Sequence, residues 1–380
     1  MKRLITLCLG LLVAACASDN VEPPAPLAPI TNPQIKVEEL WNHSIAATDD
    51  KLQLHLMLAS DGKNVYTMTN SGDIYAYALD GGDKIWKVSR DSSLSAGPTV
   101  GEGMLAVGAV DGTVIALNAA DGKELWHVNV AGELLTAPAI GGGNVVVRTT
   151  DGRIIALAAD DGRQRWKVSY QEPRLSVRGA CPPVIAGRMV LDGLDSGMLV
   201  ALNLDDGSQV WQAVVGTPHG SDELSRLSDL DGLLNVSGDE VFAAAYQGQV
   251  SDISRISGQV VWSREMSSYT GVALDDANVY VTDVHGAVWA LDRHTGVAVW
   301  TQPVLRAHNL TAPVVFQNSV VAAGITGDIH FFSKTDGSLQ AREHLDSSPV
   351  LTPPLVVGDK LLVVSSDGHI AAYTTKPIGK

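Results

Sequence analysis

Residues 111–126 read Asp111-Gly112-Thr113-Val114-Ile115-Ala116-Leu117-Asn118-Ala119-Ala120-Asp121-Gly122-Lys123-Glu124-Leu125-Trp126. An Asp-Gly turn leads into an apolar alternating run, a second Asp-Gly turn follows, and the next run carries a tryptophan. Each Asp-Gly pair is a hairpin signal, because Gly supplies the positive φ that tight turns between antiparallel strands require. Upstream, 96–100 and 104–108 are small and apolar, so 96–128 predicts four strands at 96–100, 104–108, 113–118 and 123–128.

The unit recurs. A copy starting at Asp151 has Ile154-Ile155-Ala156-Leu157, Asp161-Gly162 and Trp166, and an earlier one runs from Ile74-Tyr75-Ala76-Tyr77 through Gly81-Gly82 to Trp86. Later copies end at Trp211, Trp262 and Trp300. A seventh passes Gly327-Asp328-Ile329 and Asp336-Gly337, with Arg342 read at the tryptophan position. An eighth begins Asp367-Gly368-His369-Ile370-Ala371-Ala372-Tyr373, and its fourth strand is missing. The missing strand is supplied by Glu38-Glu39-Leu40-Trp41. Four-stranded sheets recurring about every 40 residues predict an all-β, eight-bladed β-propeller of antiparallel blades, its ring closed by the N-terminal strand around 37–42.

Composition agrees. Of 380 residues, 45% are apolar, enough for a packed core, while 18% are charged and 37 are glycine, which favours short strands and tight turns over solvated helices. The formal charge of −15 with no basic stretch argues against a nucleic-acid partner.

Lys2 and Arg3 precede an apolar run from Leu4 to Ala15, too short for a spanning helix, which needs roughly 20 residues. A basic start, a short apolar run and small residues at its end mark an export leader. Leu12-Val13-Ala14-Ala15-Cys16 resembles the bacterial lipobox, which implies cleavage before a lipid-modified (palmitate-bearing) Cys16. An ordinary cut with a chance cysteine is the alternative. The expected organisation is a cleaved leader over 1–15, a lipidated, Pro-rich tether over 16–35 and the propeller over 36–376. Pro23, Pro24, Pro26, Pro29 and Pro33 keep the tether out of helix and sheet. Cys8 falls in the leader, so Cys16 and Cys181 leave the mature chain without an expected internal disulfide.

The repeat, with its Ala-Leu, Thr/Asp-Gly and Trp positions, resembles the PQQ-like repeat family. Over the whole body, with the lipobox and the end-to-end closure, the chain is similar to the BamB family, the propeller lipoprotein subunits of the outer-membrane β-barrel assembly machinery. Two segments sharpen that resemblance: Glu172-Pro173-Arg174-Leu175-Ser176-Val177-Arg178-Gly179 and Glu223-Leu224-Ser225-Arg226-Leu227-Ser228-Asp229-Leu230-Asp231. It implies a non-catalytic scaffold, lipid-anchored on the periplasmic face of the outer membrane. Such a scaffold docks on the POTRA domains of BamA, works with the other Bam subunits, and assists unfolded β-barrel clients. Ala17 rather than aspartate after Cys16 agrees with the outer membrane.

Chemistry-bearing patterns are sparse. The Asp-Gly pairs lack the alternating oxygen ligands and closing glutamate of a calcium loop. No His-Glu-x-x-His or cysteine pair beside histidine suggests zinc, no Gly-x-Ser-x-Gly elbow suggests a hydrolase, and no Cys-x-x-Cys-His suggests haem. Seven tryptophans (Trp41, Trp86, Trp126, Trp166, Trp211, Trp262 and Trp300) share one repeat position, which reads as packing between sheets rather than a quinone box. No catalytic residue, metal or cofactor is expected. The alternative function is a periplasmic PQQ-dependent, dehydrogenase-like quinoprotein.

Repeat spacing points to the site. Trp86, Trp126 and Trp166 are 40 residues apart, but the next intervals are 45 and 51. The extra length lies in 169–183 and 217–233, after two successive outer strands. Both insertions therefore emerge on one face at neighbouring blade junctions, and long loops on a rigid scaffold are where partners bind. Leu175, Val177 and Arg178 in the first and Asp229 and Asp231 in the second are the candidate BamA-binding residues, since the resemblance places that contact at the matching positions. The competing reading is that Arg178 and the two aspartates only tie the loops together.

Overall fold

The computed structural model describes residues 23–47, 56–173, 181–217 and 227–378. Among these every regular element is a strand, in eight four-stranded antiparallel sheets. Blades 1 to 7 are consecutive meanders over 59–89, 94–129, 139–169, 184–214, 235–265, 272–302 and 314–344. Blade 2 has strands Leu94–Gly101, Met104–Ala109, Thr113–Asn118 and Glu124–Asn129, each within two residues of its expected bounds.

Blade 8 joins the chain ends. Its sheet combines Leu355–Val357, Lys360–Val364 and His369–Pro377 with Ile35–Ser44 as outer strand, in the order expected from the missing fourth strand. The pairing runs from Ile35 opposite Pro377 to Ser44 opposite His369.

The tryptophans hold neighbouring blades together. Each of the seven donates through Nε1 to a carbonyl of the following blade at 2.8–3.0 Å: Leu79, Ala119, Ala159, Leu204, Arg255, Arg293 and Lys334, in ring order. Each indole also lies on the glycine of that blade's last hairpin. A Cβ on Gly162 would sit 2.6 Å from the Trp126 ring, and φ there is +72°, so the Asp-Gly turn both reverses the chain and opens a seat for the next tryptophan.

A β-bulge precedes the tryptophan in blade after blade, and in blade 7 the pairing puts Ala341, opposite Phe331, at the tryptophan position rather than Arg342. Blade 8 has no hairpin between its last two strands, since its outer strand arrives from the N-terminus. A tryptophan at 341 would find no turn to dock on. Ile35 and Val37 pack into the cluster containing Ala341 instead.

Each outer strand ends on the face where the next inner strand starts. This connection face also carries the turns between second and third strands, and the opposite, hairpin face carries the tryptophan seats. Within the described residues no helix is long and apolar enough to cross a membrane.

Candidate functional site at the junction of blades 3, 4 and 5

The two long connections fall between blades 3 and 4 and between blades 4 and 5, on the connection face. Beneath them lies an arginine. Arg148 ends the second strand of blade 3, where the matching positions elsewhere in the ring are small or apolar, such as Met68, Ala244, Ala323 and Val364. Its side chain is only 2% exposed. One terminal nitrogen donates to Asp192 Oδ1 at 3.3 Å and to the Gly193 carbonyl, and the other to Glu172 Oε1 at 3.1 Å and Asp195 Oδ1 at 2.5 Å. Asp192 belongs to the second strand of blade 4, Asp195 to the turn after it, and Glu172 to the first insertion. One guanidinium thus binds two blades and a loop.

The second insertion closes over the same place. Leu230 donates its N–H to the Leu194 carbonyl at 3.3 Å, and Tyr246 of blade 5 donates to the Asp229 carbonyl at 2.9 Å. Gly193 is required here, since a Cβ on it would lie 2.6 Å from the Leu230 carbonyl oxygen. Asp229 is wholly buried. Both carboxylate oxygens of Asp231 are shielded from solvent without a hydrogen-bond partner among the described residues.

Among the described residues one positive charge faces Glu172, Asp192 and Asp195 directly, with Asp231 close behind. Burial pushes the Asp192 carboxyl up to about 7, with Glu172 and Asp195 adding repulsion and Arg148 opposing it. Burial likewise raises Glu172, and burial with the neighbouring Asp195 and Asp229 raises Asp231 well above its ordinary value. For Arg148, burial acts to lower the pKa, but the surrounding carboxylates outweigh it and hold the guanidinium charged. Among the described residues the junction thus gathers more buried acid than base. Within the described residues no three His, Cys, Asp or Glu side chains are placed to hold a metal ion. Cys181 is buried beside the cluster, and burial raises its thiol to about 12, which makes it unreactive.

Of the residues picked from sequence, Asp229 and Asp231 are brought to this junction. Leu175, Val177 and Arg178 lie outside the described residues. Sequence reasoning missed Arg148, Asp192, Asp195 and Glu172 as site residues. The signal was present for two of them: a charged Arg148 and Asp192 stand in second strands whose repeat partners are mostly uncharged.

Comparison with known proteins agrees with this architecture. The family described as "Outer membrane protein assembly factor BamB" matches residues 70–302 and 303–377. A curated relative of that name from Pseudomonas aeruginosa is 39% identical over 377 residues, covering 99% of both chains. The crystal structure of BamB from Moraxella catarrhalis superposes with a TM-score of 0.83 at 26% identity, covering 89% of this chain and 100% of that one. A quinohemoprotein alcohol dehydrogenase from Pseudomonas putida HK5 shares the fold alone, with a TM-score of 0.70 at 14% identity, covering 90% of this chain and 77% of that one.

Proposed function

This chain belongs to the BamB family of outer membrane protein assembly factors, and from that premise and the junction geometry we propose that it works as a non-catalytic scaffold docking on BamA. The carrying observation is that Glu172 of the first insertion accepts from Arg148 while Leu230 of the second donates to Leu194, beside Asp192 and Asp195, so that loops from two junctions are fixed at one place. Loops fixed to one junction give a POTRA domain a preorganised docking surface, where charge complementarity fixes register. Asp229 and Asp231 lie beneath that surface and support it, and Leu175, Val177 and Arg178 are assigned to it by sequence.

Lipidation at Cys16 would hold the propeller at the periplasmic face of the outer membrane. For clients, the rim offers support: Val210, Val214, Val260, Val261 and Val299 are exposed on the outer strands of blades 4 to 6. Outer strands also present an unpaired backbone edge, to which an extended client segment can add by strand pairing.

The test is capture of purified BamA by the lipid-free chain. Binding that requires the POTRA domains supports the proposal, and no binding at micromolar concentrations of both proteins overturns it. The quinoprotein alternative is checked on the same preparation, since bound quinone would give a visible absorption band.

A further inference from the structure

Residues 25–34 lie against the propeller along a defined path. Gln34 donates its N–H to the Gln340 carbonyl at 3.1 Å, at the hairpin-face end of the outer strand of blade 7. Arg342, two residues further along that strand, donates to the Ala28 carbonyl at 3.2 Å. Leu27 packs on the apolar cluster between blades 6 and 7 that contains Leu305, Leu310 and Phe332. At the far end Ala25 donates to the Arg306 carbonyl at 3.0 Å, and the buried His308 meets the Ala25 carbonyl through Nε2 at 2.8 Å. Arg306 and His308 belong to the connection from blade 6 to blade 7. The segment therefore crosses the rim from the hairpin face to the connection face.

The route follows from ring closure. The outer strand of blade 8 begins at Ile35, opposite Pro377, on the hairpin face. A tether leaving there freely would start on the face opposite the insertions. Blade 7, which carries Ala341 instead of a tryptophan, leaves its outer strand open to the incoming chain, and Arg342 holds that chain.

We propose that residues 25–34 are a built-in strap that delivers the anchored N-terminus to the connection face, so that the face bearing both insertions stands toward the membrane. The proposal rests on the reading of Cys16 as the anchor. Ala25 lies nine positions after Cys16, a reach of roughly 30 Å at ~3.1 Å per extended residue. From Ile35 the free length would be nineteen residues, or roughly 60 Å, starting from the wrong face. The strap thus shortens the leash by about half and sets which side of the disc the bilayer meets.

The experiment couples a maleimide lipid to the Cys16 thiol of the purified chain beginning there, Cys181 being buried, and inserts it into phosphatidylcholine vesicles carrying an acceptor-labelled headgroup. A donor fluorophore is placed through an azide-bearing residue at position 91, on the connection face, or at position 161, on the hairpin face. Transfer should be higher from position 91 in the wild type. In the double variant Ala25→Pro and Leu27→Asp, which lies outside the blades and leaves their fold intact, that difference should fall to less than half. Equal transfer from both positions in the wild type, or an undiminished difference in the variant, overturns the proposal. Hydrogen exchange adds a check: Ala25 and Gln34 amides should be protected in the wild type, and free-peptide rates there would remove the strap itself. Acylation of Cys16 in cells is read separately by intact mass, so failure of the anchor reading is distinguishable from failure of the strap.

Discussion

The Trp41 indole donates to the carbonyl of Leu79 at 3.0 Å, and its ring covers Gly82. Trp41 stands on the outer strand of blade 8 and Leu79 begins the last hairpin of blade 1, so this is the same contact that the other six outer-strand tryptophans make with the next blade, used here to join the ends of the ring. Trp41→Ala removes a buried indole from the seam and should cost about 3–5 kcal/mol in denaturant unfolding. Gly82→Ala should destabilise through the same seam, because φ is +74° and a Cβ would lie 2.7 Å from the Trp41 ring. Wild-type midpoints for both variants would contradict the closure.

Arg148→Met should be among the most damaging single changes in the body. It leaves Glu172, Asp192 and Asp195 buried around a missing charge, and removing one partner of a buried ion cluster costs about 3–5 kcal/mol. Glu172→Gln, which keeps a hydrogen-bond acceptor for Arg148 and lowers the acid excess, should be tolerated. Urea unfolding of the two variants side by side measures the contrast.

Asp192 gives the junction a pH dependence with a definite sign. Its carboxyl has a pKa of about 7 in the fold against 3.8 as a free side chain. Between those values the folded state holds the proton more tightly than the unfolded one, so its contribution to stability is complete below pH 4 and is lost as pH rises through 7. Asp192→Asn removes the titration. Wild-type stability should therefore fall more than that of the variant between pH 5 and pH 8, as read from thermal midpoints at both values. Parallel curves would mean that Asp192 is ionised throughout.

Partner binding should depend on charge at the junction. Asp229→Asn, which keeps the shape of the buried side chain, and Arg178→Glu should each weaken capture of BamA, since neutralising or inverting one member of a desolvated pair costs about 2–5 kcal/mol of binding. Thermal midpoints near wild type in these variants separate a lost interface from a lost fold. Undiminished capture by both would leave the loops with only a structural role.

Maturation is checked by intact mass. The mature chain should begin at Cys16 and carry acyl mass, and Cys16→Ala should release it from membranes with the propeller still folded, because Cys16 precedes the strands of the body. A mature chain starting at Ala17 would contradict the assignment.

Eight repeats, their turns and seven tryptophans were legible along the chain because a blade is a local meander. Its hairpins are set by Asp-Gly pairs within a few residues of the strands they join, and each tryptophan has a fixed offset from its glycine. Even the closure by residues 37–42 could be counted out, as one strand short at one end and one spare at the other. Position 342 was misread as a tryptophan site because the bulge that shifts the register to Ala341 is a property of the pairing, not of the spacing. The junction was only half legible: insertion lengths located it, and Asp229 and Asp231 were named. The tertiary structure alone placed Arg148 of one blade against Asp192 and Asp195 of the next and Glu172 of the loop above, 24 to 47 residues away in sequence. It alone laid residues 25–34 of the Pro-rich segment against the body. Both depend on which surfaces of separate blades face one another once the ring has closed, and no local pattern encodes that geometry.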